Sequence, residues 1–385
     1  MENPTYKETI SYDHLRKSAK ECTNNVRWKP SVQMFEVNSL QWTAELHKQL
    51  LEHSYKSKGF YKFWLLERGK MRYIRSVHIS ERCVQKTINN YGVKPIVEPR
   101  LIYDNGASLK DKGTDFAIKR LRQHLATHYR KHRKQGGVLT LDLHDYFNSI
   151  PHDKLLAQLR AIIKDDETYA LTKYFIDCFG DKGLGLGSEL SQISAIMYPN
   201  ELDHYIKEQL HIEGYGRYMD DSYLIHHDID YLKECKRLIE KKLKEMGLEL
   251  NPKSKITRFD KGSFVYLKRR FSISDSGKVI TRLKRSNITK RRRMLKKQKK
   301  RVDMHLAKMK SIRQSYQSWR GYAAKWDSHD TVKSMDRLYK ELYNEEGDPH
   351  VMRKRRNNNK TVRNNTKHGR IEQAHPQITG SIYKC

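Results

Sequence analysis

Cysteine is scarce in this chain and does not pair. Cys22, Cys83, Cys178, Cys235 and Cys385 are scattered, odd in number and never spaced Cys-x-x-Cys, which excludes a disulfide framework and a structural zinc site and leaves free thiols. No apolar run is long enough to cross a bilayer, and the start, Met1-Glu2-Asn3-Pro4, lacks the basic-then-apolar order of a signal peptide. The expected setting is soluble and cytoplasmic. Acidic residues are also few. Against 45 Asp+Glu stand 77 Lys+Arg, a net charge of +32 on 385 residues, with a pI near 9.8 and a mean hydropathy of −0.88. That balance suits a polyanionic partner, and the length suffices for two or three subdomains.

What is present is unevenly distributed. Aromatic runs such as Phe60-Tyr61-Lys62-Phe63-Trp64 read as helix or strand core rather than linker. Between about Cys83 and Phe271, short β-type runs alternate with helical ones, an α+β pattern. Val138 to Leu141 reads as a buried strand, Tyr198 to Leu210 as a helix, and Tyr215 to Ile225 as a hairpin with Asp220-Asp221 at its tip. From Lys284 to Lys310 the density of Lys and Arg, with Met294, Leu295, Val302, Leu306 and Met309 at loosely helical spacing, predicts a basic helix with one packed face. Tyr316 to Tyr343 regains leucines and aromatics and reads as a small helical subdomain. After about Met352 hardly any apolar residue remains, so a disordered, phosphate-tracking tail is expected.

Three acids stand out by their surroundings. Asp142 ends the strand Val138 to Leu141, and Asp220 and Asp221 sit amid apolar neighbours at the hairpin tip. Carboxylates so placed are costly unless compensated. A pair of Mg²⁺ ions compensates them: the ion takes carboxylate oxygens plus substrate phosphates, and two ions clamp the attacking and leaving oxygens of a phosphoryl displacement. A polar turn alone also accounts for Asp220-Asp221, since Asp is a common turn former.

The motif Tyr218-Met219-Asp220-Asp221, preceded by Asp142-Leu143-His144-Asp145-Tyr146-Phe147-Asn148-Ser149-Ile150, resembles the palm of reverse transcriptases. The resemblance runs from about Lys70 to about Leu267, with a looser match of Ser315 to Tyr322 to the thumb of bacterial relatives of group II intron enzymes. It implies an α+β right-hand polymerase. Residues 1–69 are then an N-terminal extension and the start of the fingers, 70–137 the fingers, 138–271 the palm, 272–350 a basic helical thumb, and 351–385 a disordered basic tail. It further implies Asp142, Asp220 and Asp221 as catalytic residues and Asp142, Leu143, Asp220 and Asp221 as ligands of two Mg²⁺, with Mn²⁺ as a substitute.

The same resemblance assigns dNTP contacts to Lys70, Arg72, Arg82, Phe147, Leu186, Gly187, Gln192, Lys253 and Lys255. Phe147 falls at the steric-gate position, and the proton donor to pyrophosphate is either Lys253 or Lys255. Nucleic-acid contacts fall to Lys112, Gly113, Tyr266, Lys268, Arg291, Arg292, Arg293, Lys296, Lys297 and Trp319. The chain departs from the family at Lys268, where the primer grip usually has Gly. It also reads Leu186-Gly187 and Ser191-Gln192 where most members read Gln-Gly and Ser-Pro.

That second departure is similar to the reverse transcriptases of diversity-generating retroelements, error-prone enzymes that work with a small basic accessory protein. Two rivals stay open: an antiphage-defence enzyme copying a dedicated non-coding RNA, and a maturase-like RNA binder that does not polymerise. Three intact acids weigh against the last, because carboxylates facing a phosphate backbone do nothing for a pure binder. Past Phe271 no cluster of acids suggests ribonuclease H, and no Cys/His pairing suggests a His-Asn-His endonuclease. The partners implied are template RNA, cDNA and dNTPs, with no membrane.

Overall fold

The structure, a computed structural model, describes residues 3–67, 70–185 and 187–345, except for the side chains of Glu67, Lys70 and Arg72. Cys385, Leu186 and the tail expected over 351–385 lie outside the described residues. The chain divides into two compact units, the first reaching to Leu267 and taking in Phe271–Ile280, the second made of Lys268–Arg270 and the chain from Thr281 on.

The centre of the first unit is a four-stranded sheet of β3 (Gly137–Asp142), β4 (Gly214–Tyr218), β5 (Asp221–His226) and β6 (Lys255–Arg258), in the order β4-β5-β3-β6 and antiparallel throughout. Val138, Leu139 and Leu141 are all buried, so β3 carries apolar side chains on both faces, as a central covered strand requires. The helix Ile229–Glu245 lies over β3, β5 and β6 through Leu232, Cys235, Ile239 and Leu243, one stripe at helical spacing. Its start is fixed by Asp228, whose carboxylate accepts from the backbone N–H of Asp230 and Tyr231 at 2.8 and 3.2 Å. A second helix, Thr114–His132, packs along β4 and β5.

One hydrophobic core runs from Tyr6 to Leu248. The helices Tyr12–Thr23 and Ser39–Leu51 pack on Ile79–Thr87, so the N-terminal segment is built into the same interior as the central sheet. The run expected as helix over Tyr198 to Leu210 is the α-helix Asn200–His204 continued as a π-helical turn, Tyr205–Gln209.

The aromatic run at Phe60 is not core. It forms β1 (Phe60–Glu67), paired only with β2 (Lys70–Val77) in a two-stranded ribbon, and Tyr61, Trp64 and Leu66 are each about two-thirds exposed, at 64%, 64% and 66%. A ribbon of two strands has no third layer to bury either face. The last sheet comprises β7 (Phe264–Tyr266), β8 (Arg269–Ile273) and β9 (Val279–Leu283), and within it the chain passes from one unit to the other.

The second unit is mainly three helices, Arg285–Asp303, Met309–Ala324 and His329–Tyr343. Leu295, Ile312, Tyr316, Met335 and Tyr339 make its core, with the Tyr316 and Tyr339 rings stacked at 4.2 Å. The packed face of the basic helix differs from expectation. Leu295 is buried but Met294 and Leu306 are exposed, and the other buried residue of that helix is Arg291. No described helix is long and apolar enough to cross a membrane.

Candidate functional site

Antiparallel register sets Asp142 directly opposite Asp221, the last residue of β3 facing the first of β5. Directly paired residues project to the same face, so two carboxylates share one end of the sheet. Asp220 immediately precedes Asp221, in a two-residue turn closed by Tyr218 and Asp221 whose first residue, Met219, takes a left-handed φ of 54°. Such a turn matches the twist of a hairpin and normally places glycine there, so a methionine is strained.

Several backbone contacts hold this end together. Leu143 donates its N–H to the carbonyl of Asp220 at 3.2 Å, and Asn251 donates to the carbonyl of Asp142 at 2.7 Å. Asp142 in turn donates its N–H to the Ser254 hydroxyl at 3.1 Å. All three carboxylates are half-buried. Burial above all pushes the Tyr146 and Tyr266 phenols far up, and the charges of Asp220 and Asp221 add to the shift at Tyr146 and Tyr266 respectively. Among the described residues no group of three or more His, Cys, Asp or Glu stands as a ready metal cage. The donors are hard carboxylates without thiol or imidazole, a set that fits Mg²⁺ sharing its shell with phosphate oxygens.

Two buried ionic clusters flank the hairpin, and sequence reasoning missed both. Arg217, in β4, is 3% exposed and binds Asp203, 0% exposed, through Nε at 2.8 Å and Nη2 at 2.6 Å. Burial disfavours the guanidinium charge, but Asp203 outweighs it and holds the Arg217 pKa above its ordinary value. The available signal was a cation inside a strand with buried neighbours, which must find a carboxylate. Beside it the chain Asp104 to Gly106 straps β4, with Arg217 N–H to Asp104 carbonyl at 3.1 Å and Gly106 N–H to Arg217 carbonyl at 2.9 Å. Only glycine fits at 106, where a Cβ would come within 2.9 Å of the Ala117 Cβ. Burial raises the pKa of the Asp104 carboxyl, yet Arg120, His124 and Lys207 more than reverse this and keep it below the ordinary value.

The expected nucleotide-contact residues are placed unequally. Lys70 lies in β2, but its side chain and that of Arg72, like the whole of Leu186, lie outside the described residues. Arg82 is exposed on the helix Ile79–Thr87. Phe147 is half-buried and meets Tyr146 edge-on at 5.8 Å, five residues beyond Asp142. Gly187 has φ 103° with open space where a Cβ would stand, so conformation and not crowding selects it. The next residue, Ser188, caps the helix Glu189–Met197 that carries half-buried Gln192. Lys253 and Lys255 are both exposed, on either side of the buried Ser254 that touches Asp142.

The expected nucleic-acid contacts are also placed unequally. Arg291 is buried over the Tyr316 and Trp319 rings, at 5.8 and 5.9 Å, and bonds Ser315, so its charge serves the helical core. Trp319 packs in that same core, half-buried. Tyr266 is buried against Tyr223. Lys112 donates to the carbonyl of Tyr103 at 2.8 Å and lies over the Tyr103 and Phe116 rings, while Gly113 beside it has open space where a Cβ would stand. Lys268, Arg292, Arg293, Lys296 and Lys297 are exposed, and Arg292, Arg293 and Lys296 line a hollow of about 430 Å³ with Arg337.

At the opposite end of β5 from Asp221 lies a cavity of about 270 Å³, lined by His124, His128, His132, His211, His226 and His227 together with Lys131 and Glu213. Burial depresses the pKa of His124 to about 4 and lowers those of His128 and His226. The contact of His124 with Asp104 at 3.6 Å is therefore not an ion pair at neutral pH.

Compared with known proteins, residues 56–277 match the family described as reverse transcriptase (RNA-dependent DNA polymerase), a span that takes in all three carboxylates. Among solved structures the chain is similar to an apo telomerase from Candida tropicalis truncated from its C-terminal domain, with a TM-score of 0.45 and 14% identity over 57% of this chain and 54% of that one. The match thus spans about half the length of that telomerase chain. No curated protein matches the sequence.

Proposed function

The chain belongs to the reverse transcriptase (RNA-dependent DNA polymerase) family, and from that premise we propose that it extends a DNA strand by copying an RNA template. The observation that carries this reading is the register that sets Asp142 opposite Asp221 with Asp220 in the adjoining turn. Asp142, Leu143, Asp220 and Asp221 are the residues to hold two Mg²⁺, or Mn²⁺ in their place. Bound there, the ions supply the positive charge that favours attack of a primer 3′-hydroxyl on the α-phosphate of a dNTP.

The chain's own groups do the rest. Lys253 or Lys255 gives a proton to the departing pyrophosphate. The Phe147 ring excludes a ribose 2′-hydroxyl by its bulk. Lys70, Arg72 and Arg82 pair with the triphosphate, Gly187 and Gln192 lie against the nascent pair, and Lys268, Arg292, Arg293, Lys296 and Lys297 bind phosphates of the template and cDNA. In this reading the first unit comprises fingers, to about residue 137, and palm, while the helical unit is the thumb.

The Leu186-Gly187 and Ser191-Gln192 pattern supports a narrower role: the error-prone, cytoplasmic enzyme of a diversity-generating retroelement, working with a small basic accessory protein. The rival role is antiphage defence from a dedicated non-coding RNA. Primer extension on an RNA template, beside an RNA-binding titration, tests the activity. Asp220→Asn and Asp221→Asn each abolish dNTP incorporation and leave binding nearly intact, and full incorporation by either variant refutes the reading. Sequencing the RNA that copurifies separates the roles, since a template holding a near-copy of a host gene segment marks diversification.

A further inference from the structure

Asp220 is the one carboxylate of the three that lies in a turn and not in a strand, and its aim depends on the two peptide groups that flank it. Both are pinned. Its own carbonyl accepts from Leu143 at 3.2 Å. The carbonyl before it, that of Met219, accepts from Arg217 Nη1 at 3.3 Å. The remaining reach of Arg217 is wholly internal: Nε and Nη2 grip Asp203, and Nη2 also donates to the carbonyl of Ile196 at 2.8 Å. Tyr215, two residues earlier on the same face of β4, donates to Asp203 at 2.6 Å. The guanidinium therefore arrives at the turn already oriented by Asp203 of the helix Asn200–His204.

A buried ion pair is weak evidence of stabilisation, because well-packed apolar residues often serve as well. What this pair supplies instead is direction. A planar fork with fixed donors can hold two partners at a set angle, which a flexible lysine cannot. The object it holds resists: Met219 sits at φ 54°, where a non-glycine residue is strained, so without a restraint the turn relaxes and carries Asp220 with it.

We infer that Arg217, oriented by Asp203, is a positioning residue that fixes the Met219–Asp220 peptide and so the direction of the Asp220 carboxylate. The inference rests on the reading of Asp220 as a metal-holding group.

Arg217→Lys tests it, since lysine keeps a cation for Asp203 but loses the fork. Four quantities are read: kcat, KM for dNTP, Mn²⁺ affinity by electron paramagnetic resonance, and melting temperature. The expected result is a loss of about tenfold in both kcat and Mn²⁺ affinity, the usual scale for a group supporting a metal ligand, with KM nearly constant. Adding Met219→Gly, which adopts the left-handed turn without strain, recovers about threefold of the lost kcat. A folded Arg217→Lys with parental kcat and Mn²⁺ affinity overturns the inference, as does a loss that merely follows the fraction unfolded. Should Arg217→Lys fail to fold, Met219→Val decides the matter from outside the buried pair. A β-branched residue opposes the left-handed turn, so kcat and Mn²⁺ affinity fall by more than the folded fraction does, and parental values overturn the inference. Full activity of Asp220→Asn removes the carboxylate reading itself, whereas an inactive Asp220→Asn beside a parental Arg217→Lys removes only the positioning role.

Discussion

Ser254 brackets the backbone of Asp142: its hydroxyl accepts the Asp142 N–H at 3.1 Å and donates to the Asp142 carbonyl at 3.4 Å. Ser254 is 5% exposed, and since the carbonyl also accepts from Asn251 at 2.7 Å, the N–H is the group that depends on the hydroxyl. Ser254→Ala leaves a buried N–H unmet and is expected to cost about 1–3 kcal/mol of stability. Because the same contact sets the end of β3, dNTP incorporation falls several-fold more than the folded fraction does. Urea unfolding and single-turnover extension, run on one preparation, make the comparison; equal losses in the two remove any role for Ser254 in the site.

Phe147 offers a cleaner lever because it is half-buried and packs only partly against Tyr146. On the proposed reading of Phe147 as a gate that acts by bulk, Phe147→Val is expected to let rNTPs compete with dNTPs. The ratio of rNTP to dNTP incorporation measures it, and an unchanged ratio in a folded variant moves the gate elsewhere.

The adjacent cations of the basic helix separate by burial. Arg291→Gln removes a guanidinium packed over Tyr316 and Trp319 and is expected to lower stability by about 1–2 kcal/mol without altering the salt dependence of RNA binding. The double variant Arg292→Gln with Arg293→Gln does the reverse: stability stays near the parent, and the slope of log K against log salt flattens by about 0.7–0.9 for each phosphate that is no longer neutralised. Filter binding between low and moderate salt reads the slopes.

Acid should weaken the fold through the histidine cavity. His124 has a folded pKa of about 4, and burial is the main cause. An unfolded histidine titrates near 6.5, so the folded state binds fewer protons between these values. The stability this represents is complete above about pH 6.5 and is lost as pH falls toward 4, on the order of 1 kcal/mol from His124 between pH 7.5 and 5.5. His128 and His226 shift in the same direction and add to it, as burial and their neighbours His132 and His227 oppose a further charge. Lys131, paired with Glu213, contributes a fixed cation beside them. Urea unfolding at the two pH values checks the sign, and His124→Gln should shrink the difference; a protein more stable at pH 5.5 contradicts it.

The acids at the heart of the site were legible because a strand ending in Asp and a hairpin with Asp-Asp at its tip are local patterns, and register alone brings them together. Arg217 and Asp203 were not legible, because their pairing joins a strand to a helix that no periodicity links. The burial of Arg291 was not legible for a different reason: a run of cations hides helical phase, and Arg291 shares the buried stripe with Leu295 four residues on. The aromatic ribbon at Phe60 misled in the opposite sense, since composition says core while a two-stranded partner supplies nothing to be buried against.

The shared core that joins Tyr6 to Leu248 also sets the order of events on the ribosome. Leu15, Ala19 and Cys22 emerge early, yet part of the core they belong to, including Leu224, Ile239 and Leu248, is made last. At bacterial or eukaryotic elongation rates of about 5–20 residues per second, that interval lasts roughly 10–50 s, during which the first helices present apolar stripes with no mates. The helical unit has no such wait. Its core draws on residues between Leu283 and Tyr339, so it closes from local contacts soon after it is synthesised. A nascent chain stalled before Leu248 is thus a client for chaperones, whereas one stalled after the helical unit has emerged already carries both folded parts.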